Sequence, residues 1–233
     1  MPDVELLKEQ AGIAACRFVK DGMTLGLGTG STVKYSIIEI ARMIIEEGMS
    51  LVGVPTSEDT RRLSEELGIP LLTIEDSGFL DLTIDGADEF DHNFDLIKGG
   101  GGALTREKVV ALKSKSMVVV ADHTKKVEIL GSFDLPVEVD SDLWEGVRES
   151  ISRICPGQVR LRANGPNPFQ TDNHGFILDC SFGPTISNPK SLERAICDIP
   201  GVVEVGLFVG ICDAVIVASS DGIDELIKSD GRI

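Results

Sequence analysis

Gly28, Thr29, Gly30, Ser31 and Thr32 form a glycine-rich run with hydroxyl side chains, a composition that suits a phosphate. Glycine lets backbone amides approach an anion closely, a following helix adds partial positive charge at its N-terminus, and the hydroxyls donate further hydrogen bonds. Two common nucleotide motifs do not fit. No Lys stands where a nucleoside-triphosphate loop needs one, and Ser31 occupies the third glycine position of the dinucleotide fingerprint. Taken alone, the segment also fits a tight strand-to-helix turn without a ligand.

A second segment, Asp85, Gly86, Ala87, Asp88, Glu89, Phe90 and Asp91, crowds carboxylates together. Crowded carboxylates repel one another, which raises some pKa values and suits proton transfer. The spacing is not that of a calcium-binding EF-hand loop and no histidine pair supports a transition metal, so no metal is expected. A solvated acidic turn or helix cap is the plainer alternative. The third segment runs from Lys98 through Gly99, Gly100, Gly101 and Gly102 to Glu107. Four consecutive glycines lose much backbone entropy on folding, so a compact domain tolerates them best where backbone lies against a ligand. Lys98 and Glu107 then supply a cation and a base on either side of an amide-lined pocket, the alternative being a flexible hinge.

The elements that must position these segments follow from hydrophobic period. Residues 5–19 carry Leu7, Ala11, Ala14 and Phe18 at helical spacing, residues 23–27 read as a buried strand, and Val33, Ile37, Ile40, Ala41 and Ile44 line a helix face. Strand 51–54, helix 57–67, strand 69–74, a strand ending at Ile84, helix 106–113 and strand 117–120 continue the βαβ alternation. Ligands bind beyond the carboxyl ends of the strands in such sheets, and all three segments fall at such ends. From residue 131 the order becomes strand 135–139, helix 143–154, strand 159–163, strand 175–180, helix 190–199 and strand 202–208, a ferredoxin-like β-α-β-β-α-β run. A strand over 214–218 and a helix from Asp221 then return to the first sheet. The predicted fold is α/β: a doubly wound, mostly parallel, Rossmann-like sheet formed by residues 1–130 and 209–233, with a smaller α+β domain inserted at 131–208.

Composition narrows the partners. A net charge of -16 repels polyanions, so nucleic acid is a poor partner, and a phosphorylated substrate needs a local patch of amides and placed cations. The five cysteines are odd in number, dispersed and set mostly among apolar neighbours, so they read as small buried hydrophobes. No apolar run approaches the ~18 residues of a membrane span and no signal-like N-terminus is present, which leads to the expectation of a reducing cytoplasm.

In this order, the three segments closely resemble ribose-5-phosphate isomerases of the A type, and the resemblance extends through Ala121, Asp122, His123, Thr124 and Lys125 to residues 201–208. It implies interconversion of ribose 5-phosphate and ribulose 5-phosphate in the non-oxidative pentose phosphate pathway. It also implies no metal or organic cofactor and a homodimer or homotetramer, with the inserted domain taking part in oligomerisation. Carried over residue by residue, Glu107 shuttles a proton between C2 and C1, and Asp85 assists ring opening and hydroxyl proton transfer. Asp88 and Lys98 complete the polar site that steadies the enediolate. Phosphate lies near Lys8, Ser31, Thr32 and Lys125, while Thr29 and the glycine amides line the sugar. Val33 and Lys34 depart from the alanine many relatives carry after the first loop, and Glu58 and Asp59 stand beside Thr56 and Ser57.

Overall fold

The structure is a computed structural model that describes residues 4–183 and 185–233. Helix α1 (Val4–Ala15) tightens into a 3-10 turn (Cys16–Phe18) before strand β1 (Thr24–Leu27). Helix α2 (Val33–Glu47) ends at Gly48, whose left-handed φ of 71° lets its N–H close on the Met43 carbonyl. Strand β2 (Val52–Pro55) leads to α3 (Glu58–Glu66), which starts at Ser57 because that hydroxyl accepts the Thr60 N–H. Then come β3 (Leu80–Gly86), the two-residue strands β4 (Glu89–Phe90) and β5 (Leu96–Ile97), α4 (Leu104–Leu112) and β6 (Ser114–Asp122). The next stretch holds β7 (Leu135–Val139), α5 (Trp144–Ser152), β8 (Val159–Leu161), the small hairpin β9 (Ala163–Asn164) and β10 (Asn167–Pro168), and β11 (Phe176–Cys180). Helix α6 (Pro189–Cys197), capped by the Asn188 side chain, precedes β12 (Val202–Val205), β13 (Leu207–Phe208), β14 (Ala214–Ser219) and β15 (Gly222–Ile227).

The chain divides into two compact units. One comprises residues up to 87, 106–125 and 211–233, and the other comprises 88–105 and 126–210. The sequence places residues 1–130 and 209–233 in the first unit, whereas by packing residues 88–105, 126–130 and 209–210 go with the second.

In the first unit, six strands run in the order β15-β14-β6-β3-β1-β2, parallel except at β15. Leu7 and Ala11 of α1 and Ile37 and Ile40 of α2 are buried against Leu25, Leu27, Leu82, Ile84, Val118 and Ile216. Each large aliphatic side chain so buried contributes about 1.5–3 kcal/mol relative to exposure. Strand alternation turns Gly26 and Thr83 to the opposite face, where Val110 of α4 packs: a Cβ on Gly26 would stand 2.1 Å from Thr83 Oγ1 and 2.6 Å from Val110 Cγ1. Helices on both faces make this unit the doubly wound α/β sheet that the alternation predicts.

In the second unit, an antiparallel sheet of order β12-β7-β11-β8 shares its core with α5 and α6 through Val137, Val139, Val147, Ile151, Leu178 and Ile196. Counted within its β-α-β-β-α-β run, that order is 4-1-3-2, the ferredoxin-like arrangement.

Four readings change. Residues 69–74 form no strand. Pro70 has no N–H to donate, and the segment meets β2 through a single isolated bridge, Gly53 to Leu71. The expected helix after Asp221 is instead β15, because Gly222, at φ 129°, turns the chain back along β14; Ile223, Leu226 and Ile227 only mimic a helical stripe. The strand expected over 202–208 breaks at Gly206, where a Cβ would lie 2.3 Å from the Lys98 carbonyl. Cys197 is exposed, although Cys16, Cys155, Cys180 and Cys212 are buried. Desolvation pushes the Cys16 thiol up to about 12, in keeping with an inert small hydrophobe.

Candidate active site

In the first unit, β1 delivers the chain into residues 28–32 at the carboxyl edge of the sheet. Gly28 is obligatory there: a Cβ would stand 2.2 Å from Asp85 Oδ1 and 2.6 Å from Asp85 Cα. The space left bare lets the fully buried Asp85, at the end of β3, lie against the loop. Its Oδ1 accepts the Thr29 N–H at 3.0 Å and the Gly86 N–H at 2.7 Å. Two backbone donors compensate part of the desolvation that a buried carboxylate suffers and fix its orientation.

Thr29 is held in turn by hydroxyls from the end of β2 and the start of α3. Its Oγ1 donates to Ser57 Oγ at 2.8 Å and touches Thr56 Oγ1 at 2.8 Å. Ser57 donates to Thr60 Oγ1, Thr60 donates to the Gly28 carbonyl at 2.8 Å, and Thr56 donates to the Leu27 carbonyl at 3.0 Å. This closed network makes the loop rigid from within. Gly30 and Ser31 remain exposed, Thr32 is half-buried, and the Thr32 side chain makes no capping bond to α2.

Helix α4 crosses the Gly26 face of the sheet, which Gly28, Thr83 and Asp85 share by strand alternation. Glu107 lies in its first turn, one turn before Val110, and is 5% exposed. Arg106 reaches Glu58 of α3 at 3.1 Å, tying the start of α4 down. Arg61, and after it Arg106, hold the Glu58 carboxyl below the usual carboxylate range. Lys8, on α1, is paired with Glu5 at 2.7 Å, and Lys125 is half-buried in the 3-10 turn after β6.

The other expected site residues belong to the second unit. Antiparallel register pairs Glu89 with Ile97, so Asp88 and Lys98 stand opposite each other at the open end of the β4/β5 hairpin. Lys98 is 2% exposed, its N–H bonds to the Gly206 carbonyl at 2.8 Å, and its Nζ lies 5.5 Å from the centre of the Phe208 ring. Such a cation–π contact attracts an ammonium to the ring face. The Gly100 N–H donates to Asp88 Oδ2 at 2.7 Å, and a Cβ on Gly100 would stand 2.5 Å from Asp88 Oδ1. Gly99 and Gly102 have φ of 111° and 83°, and the Gly102 N–H closes a turn on the Gly99 carbonyl. Side chains just beyond β8 and β10 support the run. Arg162 Nη1 donates to the carbonyls of Gly99 at 2.8 Å and Gly100 at 3.1 Å, and the Phe169 ring fills the space beside Gly102.

Of the residues expected at the site, Gly28, Thr29, Gly30, Ser31, Thr32, Asp85 and Glu107 gather on the first unit, whereas Asp88, Lys98, Gly99, Gly100, Gly101 and Gly102 cluster on the second. Lys8 is engaged with Glu5 rather than with the loop. Sequence reasoning passed over Thr60, Arg162, Phe169 and Asp179 and gave Thr56 and Ser57 no role. A Thr-Ser pair at the end of β2 could have drawn attention to the hydroxyl network; nothing in the sequence marks Arg162. Among the described residues, no group of three or more His, Cys, Asp or Glu side chains is arranged to hold a metal. Nor is any helix long and apolar enough to cross a membrane.

Residues 52–222 match the family described as ribose 5-phosphate isomerase A (phosphoriboisomerase A). The chain is 48% identical over 237 residues to ribose-5-phosphate isomerase A of Brucella suis biovar 1 (strain 1330), covering 98% of this chain and 100% of that one. It is similar to the solved ribose 5-phosphate isomerase of Plasmodium falciparum, with TM-score 0.93, 35% identity and coverage of 97% and 99% of the two chains. A D-ribose-5-phosphate isomerase solved with phospho-erythronic acid is equally similar, with TM-score 0.92, 37% identity and coverage of 97% and 100%.

Proposed function

The chain belongs to the ribose 5-phosphate isomerase A family, and on that premise we propose how its residues carry the reaction. The enzyme is an aldose–ketose isomerase that interconverts D-ribose 5-phosphate and D-ribulose 5-phosphate through an enediolate. Glu107 removes the C2 proton of the open-chain aldose and returns it to C1. Asp85 moves the hydroxyl proton during ring opening and between O1 and O2. Lys98 and the amides of residues 99–102 stabilise the negative charge that develops on the oxygens, Asp88 completes the polar site around them, and residues 28–32 with Lys8 and Lys125 hold the phosphate.

The observation that carries this reading is the pair of buried carboxylates on one sheet face. Asp85 has an oxygen pinned by two backbone N–H groups, and Glu107 lies in the first turn of a helix crossing the same face. A positioned acid or base supplies about 10²–10⁴-fold, so electrostatic stabilisation of the enediolate must supply much of the rest. The buried, ring-supported Lys98 and the glycine amides have the right charge and polarity for it.

The direct test is interconversion of the two pentose phosphates by purified, chelator-treated protein. No turnover, or turnover that returns only with added metal, would sink the metal-free scheme. Binding of phospho-erythronic acid in competition with ribose 5-phosphate is expected as well. We further propose a cytoplasmic homodimer or homotetramer using the ferredoxin-like unit, whose edge strand β12 exposes Val203. A monomer by analytical ultracentrifugation would remove that part alone.

A further inference from the structure

The geometry points to Arg162 as a positioning residue that orients two peptides of the tetraglycine run so that the Gly100 N–H meets Asp88 and the Gly101 N–H faces the reacting end of the substrate, an inference that rests on the isomerase reading above. In a trans peptide the C=O of one residue and the N–H of the next point in opposite directions. Arg162 Nη1 holds the carbonyls of Gly99 and Gly100, at 2.8 and 3.1 Å. The N–H groups of Gly100 and Gly101 are thereby turned to the other side, and the first of them meets Asp88 Oδ2 at 2.7 Å. The Gly101 N–H is presented on that same side.

Without such a hold, the arrangement would be weakly determined. Glycine populates both signs of φ, so a Gly-Gly peptide plane can turn over at low cost and exchange an N–H for a carbonyl oxygen. A carbonyl facing a developing enediolate repels it, so the orientation of two peptide planes decides whether the run helps or hinders proton transfer. Arg162 is itself constrained. Its Nε donates to Asp179 Oδ2 at 3.0 Å, Nη2 binds the other oxygen of Asp179, and the guanidinium lies 5.8 Å from the centre of the Phe169 ring, which packs beside Gly102. One planar fork thus joins a carboxylate, an aromatic ring and two peptide carbonyls, a task that a lysine point charge cannot reproduce. Its open side borders a cleft lined by Gly100, Ser132, Phe133, Asp134 and Asp179, wide enough to admit a small cation.

The test compares wild type with Arg162→Ala. The expected result is a fall in kcat of up to about 10²-fold with KM little changed, the scale of a small misplacement of catalytic groups. Affinity for phospho-erythronic acid, whose carboxylate resembles the enediolate, should fall with kcat, while inhibition by inorganic phosphate stays as in wild type. Guanidinium ion, at concentrations far below those that unfold proteins, should enter the vacated space and restore part of kcat in Arg162→Ala but not in Asp179→Asn. A folded Arg162→Ala with wild-type kcat would overturn the inference, as would parallel losses of phospho-erythronic acid and phosphate affinity. Should Arg162→Ala not fold, Arg162→Lys is read in the same way, with kcat equal to wild type again overturning it. An inactive wild type would overturn the isomerase reading itself and this inference with it, and so is distinguished from an active wild type matched by its variant.

Discussion

Residues 28–32 and residues 99–102 are both glycine-rich turns that open a helix, yet different neighbours hold them. The first is fixed by the neighbouring strand ends of its sheet: Gly28 makes room for Asp85, and the hydroxyls of Thr29, Thr56, Ser57 and Thr60 close a network over the carbonyls of Leu27 and Gly28. The second has nearby holds only in the Asp88 carboxylate and the turn that Gly102 closes on Gly99. Its shape comes from Arg162 and Phe169, which lie far along the chain on the ferredoxin-like unit, and from Pro136 against Gly99. Glycine serves close approach in both turns, at Gly28 and at Gly100, and left-handed φ in both, at Gly30 and at Gly99 and Gly102. Distant substitutions are expected to reach the chemistry mainly through the second.

The sharpest way to break this comparison is at the acid–base step. Glu107→Gln should lower kcat by about 10²–10⁴-fold while leaving KM within a small factor, since the amide keeps the shape and loses the base. Steady-state kinetics with near-normal kcat would remove Glu107 from its role. Next in size is Gly102→Ala, which combines a φ of 83° with a Cβ 2.4 Å from the Phe169 ring. Overpacking and backbone strain should destabilise the protein by about 1–3 kcal/mol in urea unfolding and depress kcat rather than raise KM. A pure KM effect would reverse the division of labour between the two turns. Lys125→Ala should do the opposite, raising KM several-fold with kcat little altered, and an unchanged KM would take Lys125 out of the phosphate site.

The smallest effect is electrostatic. Arg61 and Arg106 hold the Glu58 carboxyl below its ordinary range, so its contribution to stability is present above the unfolded-state value of about 4.3 and fades as pH falls through the lowered one. Glu58→Gln should therefore cost a fraction of a kcal/mol at neutral pH, the scale of an exposed ion pair, with the difference vanishing in acid. A pH-independent difference in thermal unfolding would show that packing of the side chain, not its charge, steadies α4.

Much of the fold could be read from the linear chain, and the candidate site residues could be proposed from it, because both rest on local pattern. Gly28 to Thr32 follow a short apolar strand and precede a helical stripe, and Lys98, the glycines and Glu107 stand within ten residues of one another. Where reading failed, a local pattern was ambiguous. Residues 69–74 carry apolar side chains but meet Pro70, and 223–227 carry a helical stripe on a strand whose partner, β14, decides the matter. The support beneath the tetraglycine run was invisible for a different reason. Arg162 stands 62 and 63 positions from the carbonyls it binds, and no period or motif joins it to them.

The sequence by itself determined the order of the three chemical segments, the βαβ alternation around them and the ferredoxin-like run that follows, because residue type, spacing and hydrophobic period act over a few residues. Only the tertiary structure decided which carboxylates are buried, which amides Asp85 and Asp88 receive, that residues 88–105 pack with the second unit, and which way the Gly99 and Gly100 peptides face. Those are properties of surfaces brought together by folding. The free energy that orients a glycine peptide there belongs to its distant neighbours, since glycine has no side chain with which to choose.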